Sequence, residues 1–197
     1  MARSITEICN VGLGMVGAQR IANIITEESE TANLCNTFYN PSVDEVLCMH
    51  DWGCAKHTKI VTSDASYDTD TFTYGFAYKY AYPANPYCLK VRTVNNDLYD
   101  WKPEGRFVYT GQSTCEMVYT KRITDVNEFS PLLVEAISTQ IAIRLSFPLQ
   151  QSNQLRLELI EYLEQVVLSR AKIADASEGY VPEKGDNSWQ NAGGQVS

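Results

Sequence analysis

The sequence contains no run of 18 consecutive apolar residues and is short of positive charge. Without such a run we expect no transmembrane helix. Glu7 and Asn10 interrupt the apolar pattern of the first 17 residues, so we expect no secretory signal and a reducing, cytoplasmic setting. Sixteen Lys and Arg against 24 Asp and Glu give a net charge of −8. This balance argues against a DNA-binding domain, which needs basic residues to neutralise phosphate.

Cysteine and tyrosine, in contrast, are plentiful. The length of 197 residues and the 44% apolar content predict one domain with a real core. With reduced thiols, the simplest interpretation of the cysteines is as small buried apolar residues. They are Cys9, Cys35, Cys48, Cys54, Cys88 and Cys115. Twelve tyrosines against six phenylalanines predict half-buried surface, as at subunit interfaces, where rings pack and hydroxyls stay in water.

The N-terminal part has the pattern of helices. Ser4 with Glu7 three residues later is typical of a capping box, and the apolar spacing that follows predicts a helix closed by Gly17. A second helix is expected from near Glu28. Because proline fits poorly inside a helix, Asn40-Pro41 predicts a new start, with Asn40 as the cap.

Between residues 58 and 125 the pattern changes to that of strands. Six aromatic residues stand at every second position from Phe72 to Tyr82, which predicts a strand. Further strands are expected over residues 88–94, 107–110 and 116–121. No helical pattern separates them, which favours antiparallel pairing over a parallel sheet.

The C-terminal part is predicted to be helical, followed by a tail. Ser130-Pro131 opens a helix that Pro148 ends, and Ser152 opens a longer helix to about Ala176. The expected fold is α+β. A helical bundle body of about four helices (residues 1–57 and 126–177), with a long C-terminal α-hairpin, carries an antiparallel β-rich insertion (58–125). An extended C-terminal tail (178–197) has Tyr180, Val181 and Trp189 as its main apolar anchors.

A glycine motif offers one enzymatic interpretation. Gly12, Gly14 and Gly17 match G-x-G-x-x-G, the pattern that binds the pyrophosphate of NAD, so a nicotinamide-dependent oxidoreductase is an alternative function. That site needs a buried strand before the first glycine and β-α-β alternation after it, and neither is predicted. The rival interpretation is a helix whose small residues let a neighbouring helix approach closely.

Two other clusters could carry chemistry or binding. Residues 48–57 hold two thiols and both histidines, but their spacing is not that of a standard zinc site, and no partner completes a Cys–His nucleophile. Packing around Trp52 is the favoured interpretation. The aromatic residues could stack on single-stranded nucleic acid, but only Lys79 lies among them, so a packed sheet face or intersubunit contact is favoured. No catalytic residue, cofactor or metal ligand is therefore predicted.

The order of landmarks along the chain resembles the tail tubular protein A-like family, the head-to-tail adaptors of tailed, mainly short-tailed, bacteriophages. The landmarks are Ile8-Cys9-Asn10, Leu13 to Ala18, Ala32 to Asn36, Tyr39, Val46-Leu47, His50, Trp52, Tyr78-Lys79-Tyr80, Pro83-Ala84, Cys88 to Val91, Asp100-Trp101, Glu104-Gly105-Arg106, Tyr119, Arg122 to Asp125, Phe129, Glu135-Ala136, Ala142 and Trp189. The departures are Gly12, Gly14, Asp51, Gly53-Cys54 and Asn85, which affect local packing.

The resemblance implies a structural virion protein rather than an enzyme. It implies a homo-oligomeric ring, typically of twelve copies, between the portal protein and the tail nozzle or tube, assembled in the host cytoplasm. DNA would pass through the channel without specific binding, and an acidic lining suits that passage because it repels phosphate. Tyr180, Val181 and Trp189 would dock on the portal. Trp52, Tyr78, Tyr80 and Trp101 would pack against a neighbouring subunit or the tail side.

Overall fold

The computed structural model of the chain describes residues 4–67 and 75–178 and is a mixed α+β structure. The helices are α1 (Ile5–Met15), α2 (Glu30–Met49), α3 (Pro131–Gln150), α4 (Asn153–Glu161) and α5 (Leu168–Glu178), with a π-helical segment (Tyr162–Val167) joining α4 to α5. The strands are β1 (Lys56–Val61), β2 (Tyr78–Ala81), β3 (Cys88–Val94), β4 (Trp101–Glu104), β5 (Phe107–Thr110) and β6 (Cys115–Lys121). The predicted fold class is confirmed at this level.

The capping box that opens α1 is confirmed. The Ser4 hydroxyl accepts the backbone N–H of Glu7 at 3.1 Å, and the Glu7 carboxylate accepts the backbone N–H of Ser4 at 3.0 Å. These two bonds satisfy donors that the first turn of a helix leaves without partners. α1 ends at Met15, and Gly17 then adopts a left-handed φ of +67° that carries the chain away from the helix axis.

The predicted restart of a helix at Pro41 is wrong, because α2 runs without a break from Glu30 to Met49. Proline removes one N–H from the ladder, and the carbonyl that loses its partner belongs to Thr37. Pro41 and Thr37 are both exposed, so water can replace the missing bond. Tyr39 and Val43 are buried on the opposite side, and their packing holds the two halves in line.

Pro148 likewise does not end α3. The helix continues to Gln150 and stops at Gln151, whose left-handed φ of +50° lets its N–H donate to the Phe147 carbonyl at 2.9 Å. Pro148 lies on an exposed face of the last turn, so it removes one helix hydrogen bond at a position where water can reach the backbone. α3 is long and apolar enough to cross a membrane, but 61% of that 18-residue stretch is buried inside the fold, as in a core helix.

α3 and α4 pack against each other, as the predicted α-hairpin requires. The Ser152 hydroxyl caps α4 by accepting the N–H of Leu155 at 3.2 Å. The hydroxyl of Tyr162 donates to the Glu135 carboxylate at 2.7 Å and fastens the π-helical segment to α3. This π-helical segment was not predicted, because the apolar spacing of residues 153–176 predicts a continuous α-helix.

The strands form two three-stranded sheets, β1-β6-β3 and β2-β5-β4, in which every pair is antiparallel. The predicted antiparallel pairing is confirmed. Sequence analysis missed β1, whose side chains are mostly exposed and show no alternation, and β4, which contains Pro103. A β-bridge between Ser63 and Tyr80, with a hydrogen bond from the Asp64 N–H to the Lys79 carbonyl at 2.8 Å, connects the chain after β1 to the second sheet.

The predicted strand from Phe72 to Tyr82 is shorter in the structure, which has β2 over Tyr78–Ala81. Gly75 has a left-handed φ of +74°, which no extended strand accommodates, and residues 75–77 precede β2 as irregular chain. Residues 72 and 74 of the series lie outside the described residues. The alternation of aromatic residues therefore predicted the strand but overestimated its length.

Two separate apolar cores hold these elements. The helical core joins all five helices with Trp52, Ala55, Ile123 and Phe129. The inter-sheet core lies between the two sheets and consists of Tyr80, Cys88, Val94, Val108, Cys115, Met117 and Tyr119. Burial of these side chains is the main force that stabilises each core. The sheets meet the helices through apolar and polar contacts, since Leu89 of β3 packs against the helical core and Arg92 of β3 donates to the carbonyls of Asp51 and Trp52.

Candidate functional site

A groove of about 430 Å³ opens at the rim of the two sheets, beside the end of α2. It is lined by Cys48, Tyr82, Leu89, Lys90, Val91, Trp101, Pro103 and Gly105. β3 supplies one wall and β4 the other, while α2 contributes Cys48. The groove, called here the inter-sheet groove, joins aromatic, aliphatic and basic side chains, a mixture that suits contact with another protein.

Trp101 is held at the rim of this groove by the turn before β4. Its indole N–H donates to the Asp97 carboxylate at 2.9 Å, and the same carboxylate accepts the N–H of Val94 at 3.3 Å. Tyr78 and Trp101 both pair with Thr110 of β5, so the two side chains lie on one face of the sheet. Both are partly exposed. The prediction that they contact another subunit or the tail stays open.

Trp52 and Tyr80, predicted to contact the same partners, are instead core residues. Trp52 is 2% exposed and its indole N–H donates to the Val46 carbonyl at 2.8 Å. Tyr80 is 0% exposed, its hydroxyl donates to the Gln112 carbonyl at 2.7 Å, and burial raises its pKa to about 12. Their surfaces are covered by this chain, so neither reaches a neighbour. An aromatic residue in sequence does not reveal which of its faces is covered.

Next to the inter-sheet groove, two arginines contact the faces of tyrosine rings. The guanidinium carbons of Arg106 and Arg122 lie 4.3 Å and 4.6 Å from the ring centre of Tyr87, and Arg106 also lies 5.3 Å from that of Tyr82. We call this set the arginine–tyrosine stack. Asp44 of α2 forms a two-point ion pair with Arg122 and raises the pKa of that guanidinium.

The arginine–tyrosine stack has the composition of a protein-binding surface. Tyr87 is 38% exposed, and tyrosine and arginine are enriched where interfaces contribute most binding energy. Sequence analysis missed it, because Tyr87, Arg106 and Arg122 are far apart in the chain and only the fold brings them together. The resemblance had named Arg106 and Arg122 as landmarks, without a role.

Arg92 of β3 fixes the groove relative to the helices. Its guanidinium donates to the carbonyls of Trp52 at 2.8 Å and Asp51 at 3.3 Å, and to the hydroxyl of Thr120 at 3.0 Å. One planar group thereby connects both sides of the junction between helices and sheet. The inter-sheet groove and the end of α2 therefore form one surface.

Gly12 and Gly14 of the glycine motif lie inside α1 and Gly17 follows its end, so the motif lacks the strand-to-helix turn of a dinucleotide site. No described strand precedes it, since α1 begins at Ile5 and the first strand begins at Lys56. A Cβ on Gly12 would lie 2.8 Å from the Ser138 carbonyl oxygen of α3, so the close helix approach predicted for this motif holds at Gly12. At Gly14 nothing lies within 4 Å, so the packing explanation is wrong there.

Within the cluster of residues 48–57, the predicted packing around Trp52 is seen for His50 and not for His57. The His50 ring meets Trp52 edge-on with the ring centres 5.0 Å apart, whereas the His57 ring meets Tyr119 at 5.4 Å. Among the residues that the structure describes, no group of three metal-ligating side chains is assembled. Four cysteines are buried as expected, but Cys48 is exposed and Cys54 is half-buried, because both lie where α2 ends at the surface.

Charge is divided unevenly between the helical and β-rich parts. Residues 1–55 and 126–178 together carry 6 basic and 14 acidic side chains, a net of −8. Residues 56–125 carry 9 basic and 8 acidic side chains, a net of +1. The acidic character of the protein therefore belongs to the helical segments, and the part that bears the groove and the stack is close to neutral.

No protein-family model matches the chain, and no curated protein matches it. The family resemblance therefore stays a prediction from the ordered landmarks of the sequence. Its three tail residues, Tyr180, Val181 and Trp189, lie outside the described residues.

Proposed function

We propose that the protein is a head-to-tail adaptor of a tailed bacteriophage. In this proposal it forms a ring of twelve copies between the portal protein and the tail nozzle and lies in the neck of the virion. The helices form a bundle body, and the tail of residues 178–197 extends toward the portal. The genome passes through the ring, and the protein performs no catalysis.

The division of charge is the observation that carries this proposal. A channel for DNA should neither hold the phosphate backbone nor present a sequence-reading surface, and an excess of carboxylates repels phosphate. The helical segments have that excess, 14 acidic against 6 basic side chains. The β-rich part lacks it and bears the aromatic groove, as expected for a part that contacts proteins.

The partly exposed aromatic residues of the β-rich part are assigned to protein contacts. Trp101 and Tyr78 at the sheet rim, with the arginine–tyrosine stack beside them, would face a neighbouring subunit or the tail nozzle. Such contacts combine a large apolar ring with a polar group that stays hydrated, which suits surfaces that are exposed before assembly. Tyr180, Val181 and Trp189 would supply the portal contact.

The mass of the assembled species tests the proposal directly. Purified protein is measured by analytical ultracentrifugation alone and after mixing with the portal protein encoded by the same genome. We expect either a ring without the portal or a monomer that assembles only on it. A protein that stays monomeric and unbound in both samples contradicts the proposal.

Removal of the tail separates portal docking from folding. We expect a chain that ends before Glu178 to keep its helical circular dichroism and to lose sedimentation with the portal. Leu157→Ala in the full-length chain is the matched control, because it removes an exposed apolar side chain from α4 and leaves the tail intact. Unchanged docking by the truncated chain would refute the assignment of the tail.

A further inference from the structure

β1 is an edge strand whose outer side is open. It pairs with β6, and with no second strand among the residues that the structure describes. Most of its side chains are exposed, and Ile60 is 76% exposed. The backbone N–H and C=O groups along such an edge are a template on which one more strand can pair.

The hydrogen bonds of β6 show which residues of β1 point outward. The N–H of Glu116 donates to the Asn95 side chain at 2.8 Å, and the N–H of Arg122 donates to the Tyr87 carbonyl at 2.8 Å. These two acceptors flank β3 at its opposite ends. Every second residue of β6, from 116 to 122, therefore directs its backbone groups toward β3 and away from β1.

The same alternation fixes the direction of the backbone groups in β1. Thr58 and Ile60 pair with two residues of that β6 series, so their own N–H and C=O groups point away from β6. Lys56 belongs to the same set, and its N–H donates to the Gly53 carbonyl rather than to β6. The open edge therefore offers a donor and an acceptor at both Thr58 and Ile60.

The other edge strands are covered or interrupted. The chain at Ser63 and Asp64 already bonds to β2. β4 contains Pro103, which has no N–H to donate. β3 packs against the end of α2. Of the four edge strands that the structure describes, β1 therefore has the edge that another chain reaches most easily.

The charge of β1 determines which strand fits this edge. β1 carries two exposed lysines, Lys56 and Lys59, and no acidic residue. The Lys59 ammonium donates to the Asn85 carbonyl at 2.9 Å, a neutral group that does not compensate its charge. The acidic residue paired with β1 is Glu116 of β6, one strand farther from the open edge. Pairing β1 with its own copy would bring four lysines together, whereas carboxylates opposite the lysines form favourable cross-strand pairs.

We propose that β1 binds an extended acidic segment of another protein, which adds to the β1-β6-β3 sheet as a fourth strand. Its backbone exchanges hydrogen bonds with Thr58 and Ile60. The sheet is antiparallel throughout, and an antiparallel segment places Glu or Asp opposite Lys59 and Lys56 and an apolar residue opposite Ile60. From its N-terminal end the segment has the order apolar, acidic, any, any, acidic. Strand addition at β1 does not depend on the adaptor function.

Short peptides with blocked ends test this assignment on the full chain. The probe has the sequence TVETTET, in which the valine lies opposite Ile60 and the two glutamates lie opposite Lys59 and Lys56. Its fluorescein-labelled form is titrated with the protein, and fluorescence anisotropy gives the dissociation constant. We expect the lysine version, TVKTTKT, to bind at least about tenfold more weakly, because two ion pairs become two repulsions.

Methylation of the peptide backbone separates strand addition from simple charge attraction. N-methylation of the fourth peptide residue, opposite Thr58, removes a hydrogen bond to the edge, and we expect binding to be lost. N-methylation of the third residue, opposite Lys59, is the matched control. The N–H of that residue points away from β1, so we expect binding to be retained. Bound TVETTET should also slow amide hydrogen exchange at Thr58 and Ile60.

A charge exchange in the protein tests the register. We expect Lys59→Glu to weaken binding of TVETTET and to favour TVKTTET, whose lysine then lies opposite the new glutamate. Lys172→Glu is the matched control, because Lys172 is an exposed lysine on α5, outside the sheet. It should bind TVETTET as the wild type does.

Three results would overturn the proposal. One is that the amides of Thr58 and Ile60 are protected from exchange before any peptide is added, because this chain or a second copy then already covers the edge. Another is that TVETTET does not bind. The third is that it binds no better than TVKTTKT, or equally well when its fourth residue is methylated. Each leaves the adaptor proposal untouched, because ring assembly is measured without peptide.

Discussion

Two glycines of one helix should respond in opposite ways to the same substitution. Gly12 and Gly14 both lie in α1, where alanine is intrinsically favoured over glycine by about 1 kcal/mol. At Gly14 a new Cβ meets nothing within 4 Å. We therefore expect Gly14→Ala to raise the free energy of unfolding by about 1 kcal/mol, the full propensity gain.

At Gly12 the same gain is opposed by packing. The new Cβ would lie 2.8 Å from the Ser138 carbonyl oxygen, 3.2 Å from Cγ2 of Ile141 and 3.4 Å from the Ala142 nitrogen. Two of these atoms belong to the backbone of α3, which cannot turn aside as a flexible side chain would. Overpacking of a core costs about 1–3 kcal/mol. We expect Gly12→Ala to lower the free energy of unfolding by up to about 2 kcal/mol, once a helix gain of about 1 kcal/mol is included.

Urea unfolding followed by circular dichroism measures both variants. The free energies of unfolding of the two variants should differ by about 1–3 kcal/mol, with Gly14→Ala above the wild type and Gly12→Ala below it, and with unchanged m-values. The Ser138 hydroxyl also donates to the Ile8 carbonyl at 3.2 Å in this contact, so any separation of α1 from α3 stretches that bond too. Equal stabilisation by both substitutions would refute the close approach of α1 and α3 at Gly12.

Further variants test the junction and the cores. Arg92→Met removes three hydrogen bonds between β3 and its neighbours. We expect thermal unfolding to show that the free energy of unfolding falls by about 2–3 kcal/mol. A fall below about 0.5 kcal/mol would contradict the role of Arg92 in joining the sheet to the helices. Burial raises the pKa of Tyr39 and Tyr80 to about 12, above the unfolded value near 10, so their contribution to stability is complete below pH 10 and is lost as pH rises toward 12. Urea titrations from pH 8 to 11 should show this decline in the free energy of unfolding. Tyr80→Phe should lose about 1 kcal/mol below pH 10, because its bond to Gln112 is gone, and its free energy should then fall less steeply with pH than that of the wild type. Identical slopes in the two proteins would contradict the assignment.

Much of the secondary structure was predictable because its signals are local. The Ser4–Glu7 capping box, the caps at Ser130 and Ser152, and the strands at 88–94 and 107–110 depend on neighbouring residues, and each is where the sequence places it. Antiparallel pairing followed from strands without intervening helices. The weakest signals failed: β1 has no alternation because it is exposed on most positions, and β4 contains Pro103.

The two prolines show why a local rule can fail. The sequence predicted breaks at Pro41 and Pro148, because proline removes a helix hydrogen bond. Both lie on exposed faces, where water can satisfy the freed carbonyl, while buried neighbours on the other face keep the helix continuous. Whether a proline ends a helix therefore depends on what the opposite face packs against.

The candidate site was predictable only in part. Trp101 and Tyr78 lie at the sheet rim, but Trp52 and Tyr80 are enclosed, and no periodicity separates an aromatic residue that fills a core from one that lines a groove. The arginine–tyrosine stack depends on Tyr87, Arg106 and Arg122 meeting across strand ends. Contacts between residues so far apart in the chain cannot be recognised from residue spacing.

By itself, the sequence determined the low positive charge, the order of helical and β-rich parts, the helix caps and the antiparallel pairing, because these depend on composition and on residues close in the chain. Only the tertiary structure decided that Gly12 contacts α3 while Gly14 faces solvent, and that Tyr80 is enclosed while Tyr78, two positions away in β2, is partly exposed. Both distinctions concern identical residue types in similar local settings. The difference arises from the atoms that distant parts of the chain bring against each of them.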